Sequence, residues 1–486
     1  MLFTSFLFVV FFLAVLLVVC CIRTRTYQHL FLLAASLYFF WASSHFIIVL
    51  LLIAVIVSYY SGAMIHRSSD PRHRKIILGV AAAVLLGILG YFKYYNFGIS
   101  AANTTLFLLF NVKDPLLYLN IILPIGISFY TFQALSYPLD IYRHNMYPAE
   151  SLQEYALYVT YFPQLVAGPI VRAIEFLPQL KKKVVITPEN LRSGLTFMAW
   201  GFFKKLAIAD NLAPVVNATF SNPVGAPSAV IMFATFLFGI QIFCDFSGYT
   251  DIAIGAARMM DFQLPINFDR PYLSRSPTEF WHKWHITLSR FVRDFLYIPL
   301  GGNRKGVLRT HFNLIVTWLA CGLWHGASWN FVAWGGYHGV LLSAHKLISP
   351  GKNGEEPGVS RVSARVWIVI SLLVTQYFVF LGWLIFRVGN LEHLKYCLYK
   401  FVIFDFNLTP GQQIFGIGVL CVVLGLFVIS LHPGSFRILW NTLTFDHIGY
   451  LNRVQLKYWA LFVLGIVIAI IILGPNATPQ FIYFQF

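Results

Sequence analysis

Repeated apolar runs constrain this chain more than any other feature. Stretches of roughly 18 to 25 residues with few charges recur along it, each long enough to cross a hydrocarbon core of about 30 Å at 1.5 Å per helical residue. Backbone in lipid must satisfy its own N–H and C=O groups, which a helix does within each segment. The runs lie near Leu2–Ile22, Phe46–Gly62, Ile76–Phe92, Leu119–Leu139, Leu195–Leu212, Val230–Ala253, Phe312–Leu347, Val366–Phe386, Ile414–Leu431 and Tyr458–Leu473. They predict an all-α polytopic protein embedded in a lipid bilayer. Charged residues make up only 11% of the 486, against about 25% in soluble domains.

Charge placement orients the chain. No Lys or Arg precedes the first run, whereas Arg23 and Arg25 follow it at once. That reverses the order of a cleavable signal peptide and predicts a retained first helix with its N-terminus outside the cytoplasm. His66, Arg67, Arg72, His73, Arg74 and Lys75 form the next basic stretch, so Leu30–Gly62 is expected to leave the cytoplasmic side and return as a hairpin. The formal charge of +16 falls in short loops between apolar runs, the pattern of positive-inside topology. It is not accompanied by any nucleic-acid-binding module, and no nucleic-acid partner is expected.

The chain shows no internal repeat, and it is expected to form one membrane domain over residues 1–486. Ser349–Ser363, rich in glycine, reads as a mobile polar insert. The six cysteines, Cys20, Cys21, Cys244, Cys321, Cys397 and Cys421, lie in or beside apolar runs without metal-type spacing, which suits small packing residues. Residues 258–311 form a basic segment: between Arg258 and Arg309 nine Lys or Arg face four acids, a surplus of five that places the segment in the cytoplasm. Within it Ser276, Pro277 and Glu279 spell a helix start with a capping box. Trp281, Trp284, His285, Leu288, Phe291 and Val292 then recur at helical spacing, predicting a short amphipathic helix at the cytoplasmic leaflet.

Polar side chains inside apolar runs are costly and therefore candidates for function. In the span 312–348, His325 stands between Trp324 and Gly326, with Gly322 one turn earlier, and the glycines let another backbone or a ligand approach. A neutral imidazole there would suit a general base. A second run carries Gln241, Asp245, Ser247, Tyr249 and Asp251, and a third carries Gln133 and Asp140. These carboxylates need partners, either in a functional site or in a structural ion-pair network. HExxH, Walker, CxxC and GxSxG patterns are absent, so no metal or nucleotide chemistry is indicated. Gly301–Gly306 includes Asn303, Arg304 and Lys305; it could hold a diphosphate or form a turn beside positive-inside residues. A transporter or flippase with an Asp and His proton relay is the competing class, but such folds carry repeats that are not evident here.

Taken together these residues resemble the membrane-bound O-acyltransferases, and within them the bacterial branch of the alginate O-acetyltransferase membrane subunit. The resemblance covers most of the chain. It rests on Leu123–Phe132, Gly168-Pro169, Asp245–Tyr249, Glu279-Phe280-Trp281 with Trp284-His285, Leu300–Arg304, Gly322–Gly326 and Trp383–Arg387. It implies a ring of about ten or more transmembrane and re-entrant helices around a central tunnel. It implies His325 as catalytic residue and His285 as a second histidine on the cytoplasmic side, with Trp281, Trp284, Trp324, Asn330, Gln241, Asp245, Ser247, Tyr249 and Asp251 as lining residues. Thr287 replaces a frequent Ser but keeps the hydroxyl, and Cys244 replaces a frequent aromatic residue. The resemblance further implies a bacterial inner-membrane location and no bound cofactor. The co-substrate would be acetyl-CoA or another thioester, and the acceptor a glycan reached with an exported partner protein. Peptidoglycan O-acetylation and D-alanyl transfer to teichoic acid are the rival activities. No dedicated oxyanion donor is evident, leaving Asn330 or Trp N–H groups for that part.

Overall fold

The computed structural model describes residues 1, 3–165, 168–348, 361–405, 446–475 and 481–482, with a few positions between 425 and 441. The expected run Ile414–Leu431, the insert Ser349–Ser363 apart from the start of the helix at Arg361, and Cys421 lie outside the described residues. Among those described, every regular element is helical. Five helical segments are long and apolar enough to cross a membrane: Arg25–Arg67, Pro71–Phe110, Ser228–Met259, Arg365–Arg387 and Leu456–Leu473. Their outward side chains, such as Leu461, Ile471 and Ile472, are exposed. In water this would be an extended apolar patch; in a bilayer it is the surface that lipid covers.

Local chemistry fixes many helix ends. Ser5 caps Phe6–Cys21 by accepting from the Phe8 N–H, and Asp70, followed by Pro71, caps Pro71–Leu89 through the Arg72 N–H. Ser276 accepts from the Glu279 N–H as the capping box predicts. Several expected runs are broken. Leu119–Leu139 is not a span, because residues 111–126 are non-helical and the helix Ile127–Tyr142 begins only after Gly126 at φ 72. Leu195–Leu212 is divided by a π-helical turn at Phe203–Ala209. The first run forms a helix of 16 residues, Phe6–Cys21.

The chain divides into two compact units, each built around its own core. One comprises Met1–Phe202 and Gly248–Ile266, the other Phe203–Ser247 and Asn267–Ile482. In the first, Asp140 is fully buried and takes the guanidinium of Arg172, with Nε at 3.1 Å from Oδ2. Gln133 donates to the Tyr158 carbonyl at 3.2 Å. Both polar residues of the third run are thus structural clasps, holding Ile127–Tyr142 to neighbouring segments.

The second unit is organised by the antiparallel helices Val307–His325 and Trp329–Ile348. The run Phe312–Leu347 is therefore two helices and not one. Gly326, extended at φ −160, ends the first. Glycines bring the pair together: a methyl group added to Gly322 would strike the Phe331 carbonyl, and one on Gly335 the Trp318 carbonyl. Such backbone-to-backbone approach is available only to glycine.

Candidate active site

His325 closes the helix Val307–His325 and is 4% exposed. Its ring lies 5.0 Å from Trp324, 4.9 Å from Trp334 and 5.5 Å from Phe386, centroid to centroid. The break at Gly326 thus puts the imidazole at a helix end inside an aromatic box, where the sequence pattern suggested a mid-helix residue. The box is braced by Asn330, whose side-chain amide donates to the Phe386 carbonyl at 3.1 Å and accepts from Ser328. Asn330 therefore acts as a clamp on the wall of the site.

His285 reaches the same unit by another break. The amphipathic pattern from Trp281 to Val292 predicts one helix at the leaflet, but the structure has two, Pro277–Lys283 and Ile286–Val292. His285 lies between them in the left-handed conformation, φ 42 and ψ 56, which costs a non-glycine residue on the order of 1–2 kcal/mol. Asn267 holds the break: its carbonyl accepts from the Ile286 N–H at 3.0 Å, and its Oδ1 accepts from the N–H and hydroxyl of Thr287 at 3.2 and 2.9 Å. These bonds replace the ones a continuous helix would make.

The consequence is a different disposition of the aromatic stripe. Trp281 turns toward Trp318, at 4.1 Å, and gives its indole N–H to Nδ1 of His338 at 3.3 Å. Trp284 packs on Trp383 at 4.6 Å and Phe268 at 5.0 Å. Trp281, Trp284, Trp318, Trp383 and His338 are all buried in the protein.

His285 is completely buried, edge-on to Phe246 at 4.7 Å, and 5.9 Å from Trp324. Since Trp324 also contacts His325, one indole separates the two histidines. Among the described residues neither ring nitrogen of His285 has a hydrogen-bond partner, and burial pushes its imidazole well below the ordinary value, favouring the neutral form. A buried neutral imidazole can accept a proton from a group brought against it.

Of the second run, Asp245 is drawn into an ion-pair network. Lys205 Nζ lies 2.6 Å from Asp245 and 2.7 Å from Asp210, all three buried. The other Asp245 oxygen accepts the Ile482 N–H at 2.7 Å, and Phe481 packs on Phe246 at 5.8 Å. Ser247 accepts from Lys204 Nζ at 2.9 Å. Gln241 has a buried side-chain oxygen without a partner among the described residues. Tyr249 and Asp251 belong to the first unit, where Tyr249 stacks on Phe3 at 4.8 Å. Asn303, Arg304 and Lys305 are exposed on a turn made by Gly301 and Gly302, at φ 113 and 54, whose Gly302 carbonyl is held by Asn313 at 2.9 Å. The helix of 19 residues that follows separates this turn from His325 by about 27 Å. Cys244, Cys321 and Cys397 are buried, whereas Cys20 and Cys21 are exposed.

Sequence reasoning missed five participating residues. Asn267 and Trp334 sit in segments where hydropathy shows nothing unusual, whereas His338, Lys204 and Lys205 are polar side chains inside apolar runs. An adjacent lysine pair inside the apolar run Leu195–Leu212 was the available signal, because lysine there requires anionic partners.

Residues 4–388 match the membrane-bound O-acyltransferase family, and the chain belongs to that family. It is an O-acyltransferase and a multi-pass membrane protein. It is similar to the probable alginate O-acetylase AlgI of Pseudomonas putida, 36% identical over 436 residues, which cover 86% of this chain and 85% of that one. The peptidoglycan O-acetyltransferase of Helicobacter pylori is 36% identical over 362 residues, 69% of this chain and 66% of its own. The teichoic acid D-alanyltransferase of Streptococcus thermophilus is 26% identical over 287 residues, 54% and 68% of the two chains.

Proposed function

We propose that the chain passes an acetyl group from acetyl-CoA in the cytoplasm, through the membrane, to a hydroxyl serving an extracytoplasmic polysaccharide of the alginate type. The observation that carries this reading is the pair His285 and His325 around Trp324, buried and enclosed by aromatic rings. His325 takes the proton of the attacking hydroxyl and returns it to the departing thiol. His285 lines the donor's approach from the basic segment 258–311, where Asn303, Arg304 and Lys305 meet the charged end of the thioester. The identity to alginate O-acetylases favours the acceptor class. The protein lies in the bacterial inner membrane with its N-terminus outside, and an exported partner protein completes delivery to the glycan.

A second reading, peptidoglycan O-acetylation, is favoured by the equal percentage identity to the Helicobacter enzyme. Holding both reactants in a dry enclosure supplies acceleration worth about 7–11 kcal/mol, and general-base help adds roughly 10²–10⁴-fold. The test uses purified protein in sealed vesicles, with radiolabelled acetyl-CoA on the face bearing Asn303 and the glycan with its partner in the lumen. Labelled ester inside and free CoA outside are expected. CoA in the lumen, or no ester with either glycan, would overturn the reading.

A further inference from the structure

We propose that the indole N–H of Trp334 is the donor that stabilises the carbonyl oxygen anion formed during acyl transfer, making Trp334 a catalytic residue. The inference rests on the acyl-transfer reading and supplies the part that reading lacks. When the acceptor oxygen bonds to the thioester carbonyl carbon, its proton passes to an imidazole nitrogen of His325 and the carbonyl electron pair moves onto oxygen. Collapse restores the carbonyl and breaks the C–S bond, and the thiolate takes the proton from the imidazolium. One hydroxyl and one thioester become one ester and one thiol. In an enclosure with little water the transient anion must be met by a donor already in place.

Trp334 meets that requirement. It is 1% exposed, and its ring stands 4.9 Å from His325, nearly perpendicular at 85°. Its Nε1 has no acceptor among the described residues, a state that buried polar groups rarely keep. Two nearby donors are committed elsewhere: the Trp281 indole, 5.6 Å away, is satisfied by His338, and the Asn330 amide by the Phe386 carbonyl. The Trp383 indole also lacks an acceptor among the described residues, but its ring packs on Trp284, whereas that of Trp334 stands against His325. Phe386, 5.4 Å from Trp334 and 5.5 Å from His325, closes an apolar wall over both rings. A proton acceptor and an unspent hydrogen-bond donor therefore share one dry corner, which is the arrangement that addition to a carbonyl needs.

Trp334→Phe removes the N–H and keeps an aromatic ring. Measured as the initial rate of labelled ester formation from radiolabelled acetyl-CoA by the full chain, its kcat should fall about 10²–10³-fold while the KM for acetyl-CoA stays near the parent value. A second variant places 3-benzothienylalanine at position 334, with sulfur in place of N–H at almost unchanged shape. The same loss in that variant, at parent levels of folded protein, supports the proposal even if the Phe variant packs poorly. Turnover within about threefold of the parent in the sulfur variant overturns it. Failure of the underlying reading would register separately, as parent-rate ester formation by His325→Ala, and would overturn this assignment with it.

Discussion

Burial treats His285 in a way that can be followed through its protonation. The side chain has no exposure and its folded-state value is lowered, so below about pH 6.5 the unfolded chain binds more protons than the folded one. Stability from this group is complete above that pH and is lost progressively as the pH falls toward the folded value. His285→Gln removes the contribution. Its melting temperature in detergent should decline less steeply than the parent's as the pH is lowered below about 6.5. Parallel curves would show that the folded protein does not hold His285 neutral. The pair of candidate histidines was itself legible: His325 stands beside two glycines in an apolar run, and the motif around His285 carries the family resemblance. Trp334 was not, because hydropathy counts the indole as apolar and cannot see whether its N–H has found an acceptor.

At the scale of elements, the departures from expectation share one physical cause. The 3.6-residue period from Trp281 to Val292 continues through His285, so sequence spacing alone predicts an unbroken helix. The break is made by Asn267, which supplies acceptors to Ile286 and Thr287 from outside the window. The start at Ser276 was readable because the cap and its partner Glu279 lie three residues apart. The hairpin around Gly326 teaches the same lesson, since an apolar run does not reveal where a partner helix will press against it. Gly322 meets the Phe331 carbonyl, a backbone atom that cannot rotate aside. Gly322→Ala should therefore cost stability near the upper end of the 1–3 kcal/mol typical of overpacking, read as a lower melting temperature in detergent. Gly336→Ala on the partner helix, whose added carbon would meet only Leu319 Cδ2 at 3.5 Å, should remain close to the parent. Equal melting temperatures for the two variants would contradict the close approach.

For the whole molecule, the question is which way the helix Val307–His325 points. Its first turn follows the exposed Asn303, Arg304 and Lys305, and its last residue lies about 27 Å away along the axis. Five surplus positive charges between Arg258 and Arg309 predict, by the topology rule, that the start of the helix lies in the cytoplasm. In that orientation His325 would lie toward the opposite leaflet, and the proposed transfer would carry the acyl group through the protein to reach it. A single cysteine at Asn303 tests the direction, once Cys20, Cys21, Cys244, Cys321, Cys397 and Cys421 have been replaced by serine or alanine. Because position 303 is exposed, a membrane-impermeant thiol reagent should label it readily in permeabilised cells and leave it unlabelled in intact ones. Labelling from outside intact cells would reverse the helix, put His325 on the cytoplasmic side, and remove the need for the acyl group to cross.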